Sequence, residues 1–253
     1  MTNQTVVPAS PGQLSAVGFK IAGTINRVIA DSGLSFEQAD HLILSEEKEL
    51  EKMTERFCAE ILGVEADPWI VEKRRIEKFY EILLGRRINW KEFSLPPKND
   101  KMRRLEVIFW DVSEDEIFTA YARKFGKDSV WKHYSNGIAK SICKQQKRSE
   151  GNYAFSHVGG SNPDMLDKSY NDGINAGIKF MVPKEGIIAA LRYRIETSKM
   201  YDVNGLTRFA ALTDNGCAMC MCMYRSTEGK FCVSIDGPGF RGSGRGLRQV
   251  NLA

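Results

Sequence analysis

Apolar residues recur at helical spacing over the first third of the chain. Leu14, Val17, Ile21, Ala22, Ile25, Val28 and Ile29 form one stripe, closed by Asp31-Ser-Gly33, the pattern of an amphipathic helix stopped by glycine. Ser35 with Gln38 three residues later has the form of a capping box. The stripe behind it (Leu42, Ile43, Leu50, Met53, Phe57, Ile61) ends at Gly63. Asp67-Pro68 predicts a third start, an N-cap followed by proline at the first helical position. Ile70, Ile76, Phe79, Tyr80, Leu83 and Leu84 continue that helix to Gly85. Three helices on short links predict a helical unit over residues 1–94.

The period changes after Leu95-Pro-Pro-Lys-Asn-Asp100, where the proline pair resists both helix and sheet. Arg104 to Trp110 is rich in β-formers. Ser113 and Glu116 form a capping box for a helix reaching Gly126, and Ser129 to Tyr134 reads as a strand. Asn152 to Val158 alternates like a strand, Asn162-Pro163 predicts a short helix, and Pro183 opens a longer one carrying Ile187, Ile188, Leu191 and Ile195. Three closing strands, Leu206 to Thr213, Cys217 to Arg225 and Lys230 to Asp236, are joined by Asp214-Asn-Gly216 and Ser226-Thr-Glu-Gly229. Helices and strands mix without strict alternation, which predicts an α+β fold. Its expected parts are the helical unit 1–94, a mixed α+β domain over 101–236 ending in an antiparallel hairpin, and a Gly/Arg-rich tail, 237–253.

A chain of 253 residues can bury a substantial core, and a 42% hydrophobic share with 27% charged residues is globular rather than disordered composition. Met1 to Gln13 has neither a basic start nor an apolar run, so no secretory signal is expected. The best apolar stretch, Leu14 to Ala30, is interrupted by Lys20, Asn26 and Arg27 and is no membrane span. These features predict a cytoplasmic protein with no membrane partner. Six unevenly spaced cysteines then read as reduced thiols packed as small hydrophobes rather than as a disulfide framework.

The net charge of +4 is mild, but its distribution is not. Between Ser35 and Asp67 ten acidic residues stand against three basic ones, and between Ile117 and Arg148 eight basic residues stand against Asp128 alone. The eight are Arg123, Lys124, Lys127, Lys132, Lys140, Lys144, Lys147 and Arg148, interleaved with aromatic residues that include Trp131, His133 and Tyr134. Were Gly137 to Arg148 helical, Lys140, Lys144 and Lys147 would share one side and could neutralise phosphates. Trp131 or Tyr134 would offer a stacking surface. Arg241 and Arg245 in the tail, followed by Arg248, extend the same set. The competing interpretation is a solvated surface above a core of aromatics. The favoured function is therefore a nucleic-acid or nucleoprotein binding module. Its rivals are a protein–protein interaction subunit, with the acidic helix Ser35 to Leu62 meeting a basic partner, and a hydrolase or metal-dependent enzyme.

Signals for catalysis are poor, so no catalytic residue, metal ligand or cofactor is assigned. Cys217, Cys220, Cys222 and Cys232 are enough in number for zinc or an iron–sulfur cluster. A four-residue turn at Ser226 to Gly229 would pair Met223 with Cys232, however, and turn that thiol away from Cys220 and Cys222. Gly237-Pro-Gly239-Phe-Arg-Gly242 fits a dinucleotide pattern but lacks the helix and second strand beyond it. His157-Val-Gly-Gly-Ser161 has no nucleophile elbow to serve. Asp164, Asp167 and Asp172 do not follow a calcium-loop spacing.

From Pro183 onward a set of features can be followed to the C-terminus. They are the helix Ile187 to Tyr193, Tyr201-Asp-Val203, Thr207, the turn Asp214-Asn-Gly216, the closing hairpin and Leu247-Arg248. In that order they resemble a group of uncharacterised bacterial hypothetical proteins, with Tyr201 standing where the group has leucine. The resemblance implies no activity and no functional residue.

Overall fold

In the computed structural model, the described residues are 67–253 apart from Asp100, Ser161, Met200, Val203, Asn204 and 224–229. The first two predicted helices, the acidic segment Ser35 to Leu62 and Cys58 lie outside them. Helix α1 (Ile70–Leu84) begins where the Asp67 side chain accepts a hydrogen bond from the Trp69 amide at 2.9 Å and ends at Gly85, whose φ of 63° is the left-handed conformation glycine tolerates. Strand β1 (Arg104–Ile108) follows, and Ser113 then caps α2 (Glu114–Phe125) in a reciprocal box with Glu116. Chain order continues through β2 (Val130–Lys132), β3 (Lys144–Gln145), β4 (Tyr153–His157), β5 (Met165–Leu166) and α3 (Tyr170–Asn175). It closes with α4 (Pro183–Thr197), β6 (Leu206–Leu212), β7 (Ala218–Met223), β8 (Phe231–Asp236), β9 (Arg245–Leu247) and β10 (Val250–Leu252). The architecture is α+β.

Two sheets share these strands. A three-stranded antiparallel sheet runs β1-β4-β10, and a seven-stranded mixed sheet runs β2-β8-β7-β6-β9-β5, with β3 also pairing β6. Helix α4 touches β1 of the first sheet and β6 and β7 of the second. It therefore buries residues around most of its circumference, from Ile187 through Arg192, as a helix packed on more than one side must. Gly186 is the close approach in this packing, because a Cβ there would run into the Phe209 ring of β6. Met219, Met221, Phe231 and Val233 on one face of the large sheet join α1, α2 and α4 in one hydrophobic core.

Three expectations are revised. The compact unit begins at Asp67, so α1 does not belong to a helical part ending at residue 94. Its Tyr80 hydroxyl donates to the Val107 carbonyl of β1 at 2.6 Å, and the Trp69 indole donates to the Pro96 carbonyl at 2.8 Å. The Pro96-Pro97 segment is thus a strap across the helix rather than a boundary. Residues 237–253 are not a tail: β9 lies between β6 and β5, and β10 pairs β4. The short helix starts at Tyr170, capped by Ser169 and Asp172, and not at Asn162-Pro163.

Candidate nucleic-acid interface

Segment 133–143 decides the shape of the basic surface. It leaves β2, which is hydrogen-bonded in parallel to β8, and reaches β3, which pairs the end of β6. The His133 amide donates to the Val233 carbonyl at 3.0 Å, the Tyr134 hydroxyl to the Ser234 carbonyl at 3.0 Å, and the Cys143 amide to the Leu212 carbonyl at 2.9 Å. The segment is therefore anchored at both ends on the large sheet. Between the anchors Asp115 of α2 accepts from the Ile138 amide and pairs with Lys132 at 2.7 Å. The predicted helix over 137–148 does not form. Only Ala139–Ser141 makes a short 3-10 turn, and Lys144 is already in β3. Beyond that turn the Cys143 and Gln146 amides donate to the Leu212 and Ala210 carbonyls of β6 instead of closing helical turns.

The ten basic candidates separate by what their charge already meets. The Arg148 side chain is buried, its guanidinium bonded to Glu185 at 2.6 and 2.9 Å and to the Phe180 carbonyl at 2.8 Å. It holds its segment against the start of α4. Burial works to lower its pKa, but Glu185 outweighs that and raises it. Arg245 pairs with Asp236 at 2.6 Å and lies over the Phe240 ring. Arg241 embraces the Asp172 carboxylate, whose pKa it holds well below the usual range. These three and Lys132 are engaged within the fold. Arg123, Lys124 and Lys127, at the end of α2 and just beyond it, are exposed, as are Lys140, Lys144 and Lys147. None of the six forms an ion pair with a carboxylate among the described residues, and Lys124 lies 5.9 Å over the Phe125 ring. Between the two groups in the chain comes the edge strand β2, with Trp131 45% exposed and packed edge-on to His133, which in turn packs on Tyr134. Tyr134 is buried, so Trp131 is the available stacking surface of the two predicted.

A cleft of about 550 Å³ opens between this segment and the turn at Thr213 to Asn215. His133, Lys140 and Asn136 lie on one side, Asp214 and Asn215 on the other, and Tyr134, Ile142 and Ile235 also line it.

Cys220, Cys222, Cys232 and His157, groups that the enzymatic alternative would use, are all buried. Met223 pairs with Phe231 and Cys222 with Cys232, one residue away from the predicted register. That slip places Cys220, Cys222 and Cys232 on one face, the reverse of the expected divergence. All described cysteines are free thiols, and among the described residues no group of three His, Cys, Asp or Glu side chains could hold a metal ion. The hydrogen bond with Cys232 and burial push the Cys222 thiol far up, and burial does the same for Cys220. His157 is buried. Its Nδ1 accepts from the Gly159 amide at 3.2 Å, so the proton sits on Nε2, 3.4 Å from Glu106. An imidazole so enclosed cannot reach a substrate. The hydrolase reading also named Ser161, which lies outside the described residues, as does the acidic segment of the protein-partner reading.

Two buried polar clusters were invisible in the chain order. Arg192 bonds Glu72 at 2.7 Å, Glu106 at 2.9 Å and Glu196 at 2.5 Å, while Arg104 binds Glu196 at 2.6 Å. Arg248 bonds Asp202 at 2.6 Å and Thr207 at 3.0 Å and stacks on Tyr201 at 3.9 Å. Tyr201, Asp202, Thr207 and Arg248 thus meet in a buried core rather than at an accessible site. Comparison of the chain with protein-family models, curated proteins and solved structures finds no match. Among the described residues no helix is long and apolar enough to cross a membrane.

Proposed function

We propose that the protein binds nucleic acid through the surface that runs from the end of α2, around the edge strand β2, to β3. One observation carries the reading. Along the chain, six exposed cations without a carboxylate partner among the described residues stand on either side of the half-exposed Trp131. Cations already paired inside the fold would have to break those pairs to meet a phosphate, whereas these six only shed solvent and counterions. The exposed Trp131 face favours unpaired bases, since stacking on a side chain needs a base that is not already stacked in a duplex.

The test is fluorescence anisotropy with labelled single- and double-stranded DNA and RNA over a salt series. Binding should prefer single strands, with log K falling by about 0.7 per phosphate contacted for each tenfold rise in salt. The triple reversal Lys140→Glu, Lys144→Glu, Lys147→Glu should abolish binding, and the substitutions are all at exposed positions, so the fold should persist. Unchanged affinity in a folded triple variant would overturn the proposal.

A further inference from the structure

We infer that the cleft between segment 133–143 and the Thr213 to Asn215 turn binds a nucleoside phosphate, an inference that rests on the nucleic-acid reading and specifies one subsite within it. The volume, about 550 Å³, lies in the range of about 300–1,000 Å³ typical of small-ligand sites, too small for a duplex. Its chemistry is divided. Lys140, whose ammonium meets no carboxylate among the described residues, and His133 lie on one wall. Asp214, whose carboxylate accepts from the Asn215 amide at 2.9 Å through one oxygen, belongs to the turn that lines the other side.

A ligand satisfying both walls carries an anion at one end and hydroxyl or amino donors at the other. Asp214 would repel a second phosphate but accept from a ribose hydroxyl or a base amino group. Tyr134, Ile142 and Ile235 provide apolar contact for a flat ring, and the hydrogen bond from Tyr134 to the Ser234 carbonyl fixes that aromatic surface. A phosphate group, a sugar and a base meet these demands in that order. The same nucleoside phosphate could arrive as a free mononucleotide or as the phosphorylated end of a strand. Trp131, two positions before the lining begins, is placed to stack the neighbouring base in the second case.

The experiment uses the full chain and titrates adenosine monophosphate, adenosine and inorganic phosphate by calorimetry. In parallel, anisotropy compares one oligonucleotide with and without a terminal phosphate. Asn136→Trp, an exposed lining position, fills the cleft without replacing any of the six surface cations, and Asp214→Ala removes the accepting wall. The expected result is that adenosine monophosphate or the phosphorylated end binds at least about tenfold more tightly than its unphosphorylated counterpart. Asn136→Trp should erase that difference, while affinity for the unphosphorylated oligonucleotide stays as in the parent chain. A response to the mononucleotide alone would make the source a free nucleotide, and to the phosphorylated end alone a strand terminus. Either supports the site. Equal affinity with and without phosphate in both arms would overturn it, as would a preference that survives both variants. Loss of all oligonucleotide binding with mononucleotide binding intact would instead remove the wider nucleic-acid reading and leave the cleft.

Discussion

At the scale of single residues, charge is sorted by burial. Glu106 and His157 face each other in the interior, and the environment acts on them differently. Burial by itself would raise the Glu106 pKa, but Arg192 and His157 outweigh it and hold the carboxyl at about 2. Burial lowers the His157 pKa below its usual 6.5, and Glu106 only partly opposes this. Both groups therefore bind protons more readily in the unfolded chain, and the stability linked to each is lost on acidification. For His157 the loss begins as the pH falls through 6.5, and for Glu106 it begins near 4.5 and continues towards 2. Urea unfolding midpoints measured from pH 8 to pH 3 should fall in that order. A His157→Gln variant should lose the upper part of the decline and keep the lower. A flat profile between pH 7 and 5 in the parent chain would contradict the buried neutral imidazole.

At the scale of elements, strand β7 shows how one register controls chemistry. Its methionine face enters the main core and its cysteine face carries Cys220 and Cys222, with Cys232 directly across from Cys222 on β8. All three thiols are enclosed and the pKa values of Cys220 and Cys222 are raised, whereas Cys143 is exposed and Cys217 partly so. A thiolate is the reacting species, so in a Cys58→Ser background an aromatic disulfide reagent should label Cys143 and Cys217 quickly. Cys220, Cys222 and Cys232 should react only when denaturant is added, and mass spectrometry of the labelled peptides would show it. Fast labelling of Cys222 in the native protein would contradict the packing of the hairpin. The sequence shows the alternation that makes β7 a strand, but the length of its connection to β8 is not legible from composition. That length alone settles which thiols share a face.

At the scale of the whole molecule, the last residues tie the two sheets together. Strand β9 belongs to the large sheet and β10 to the small one. Between them the Arg248 carbonyl accepts from the Met181 amide, and its side chain binds Asp202 and Thr207. Removing 244–253 would strip β6 and β4 of partners and leave the buried Asp202 without its guanidinium, a kind of loss that costs about 3–5 kcal/mol by itself. The truncated chain should therefore fail to give a cooperative urea transition followed by circular dichroism. A truncated protein that unfolds at the parent midpoint would make the C-terminal strands dispensable.

Local signals in the chain determined most of the elements. The stripe ending at Gly85, the Ser113 capping box, proline at the head of α4, the alternation in β4 and the turn-bounded runs of β6, β7 and β8 are set by neighbours a few positions apart, and the structure carries these helices and strands. The α+β class followed from their order. The excess of cations from Ile117 to Arg148 was legible too, but not which of them are available. Arg148 finds Glu185 37 positions away, and Arg192 finds Glu72 at a separation of 120. No local pattern encodes such meetings. The glycine-rich segment 237–253 looked like a solvated end because its strands are short and draw their partners from β4, β5 and β6. Hydrogen bonds to distant strands and ion pairs inside the core depend on how elements pack, and only the tertiary structure decided them.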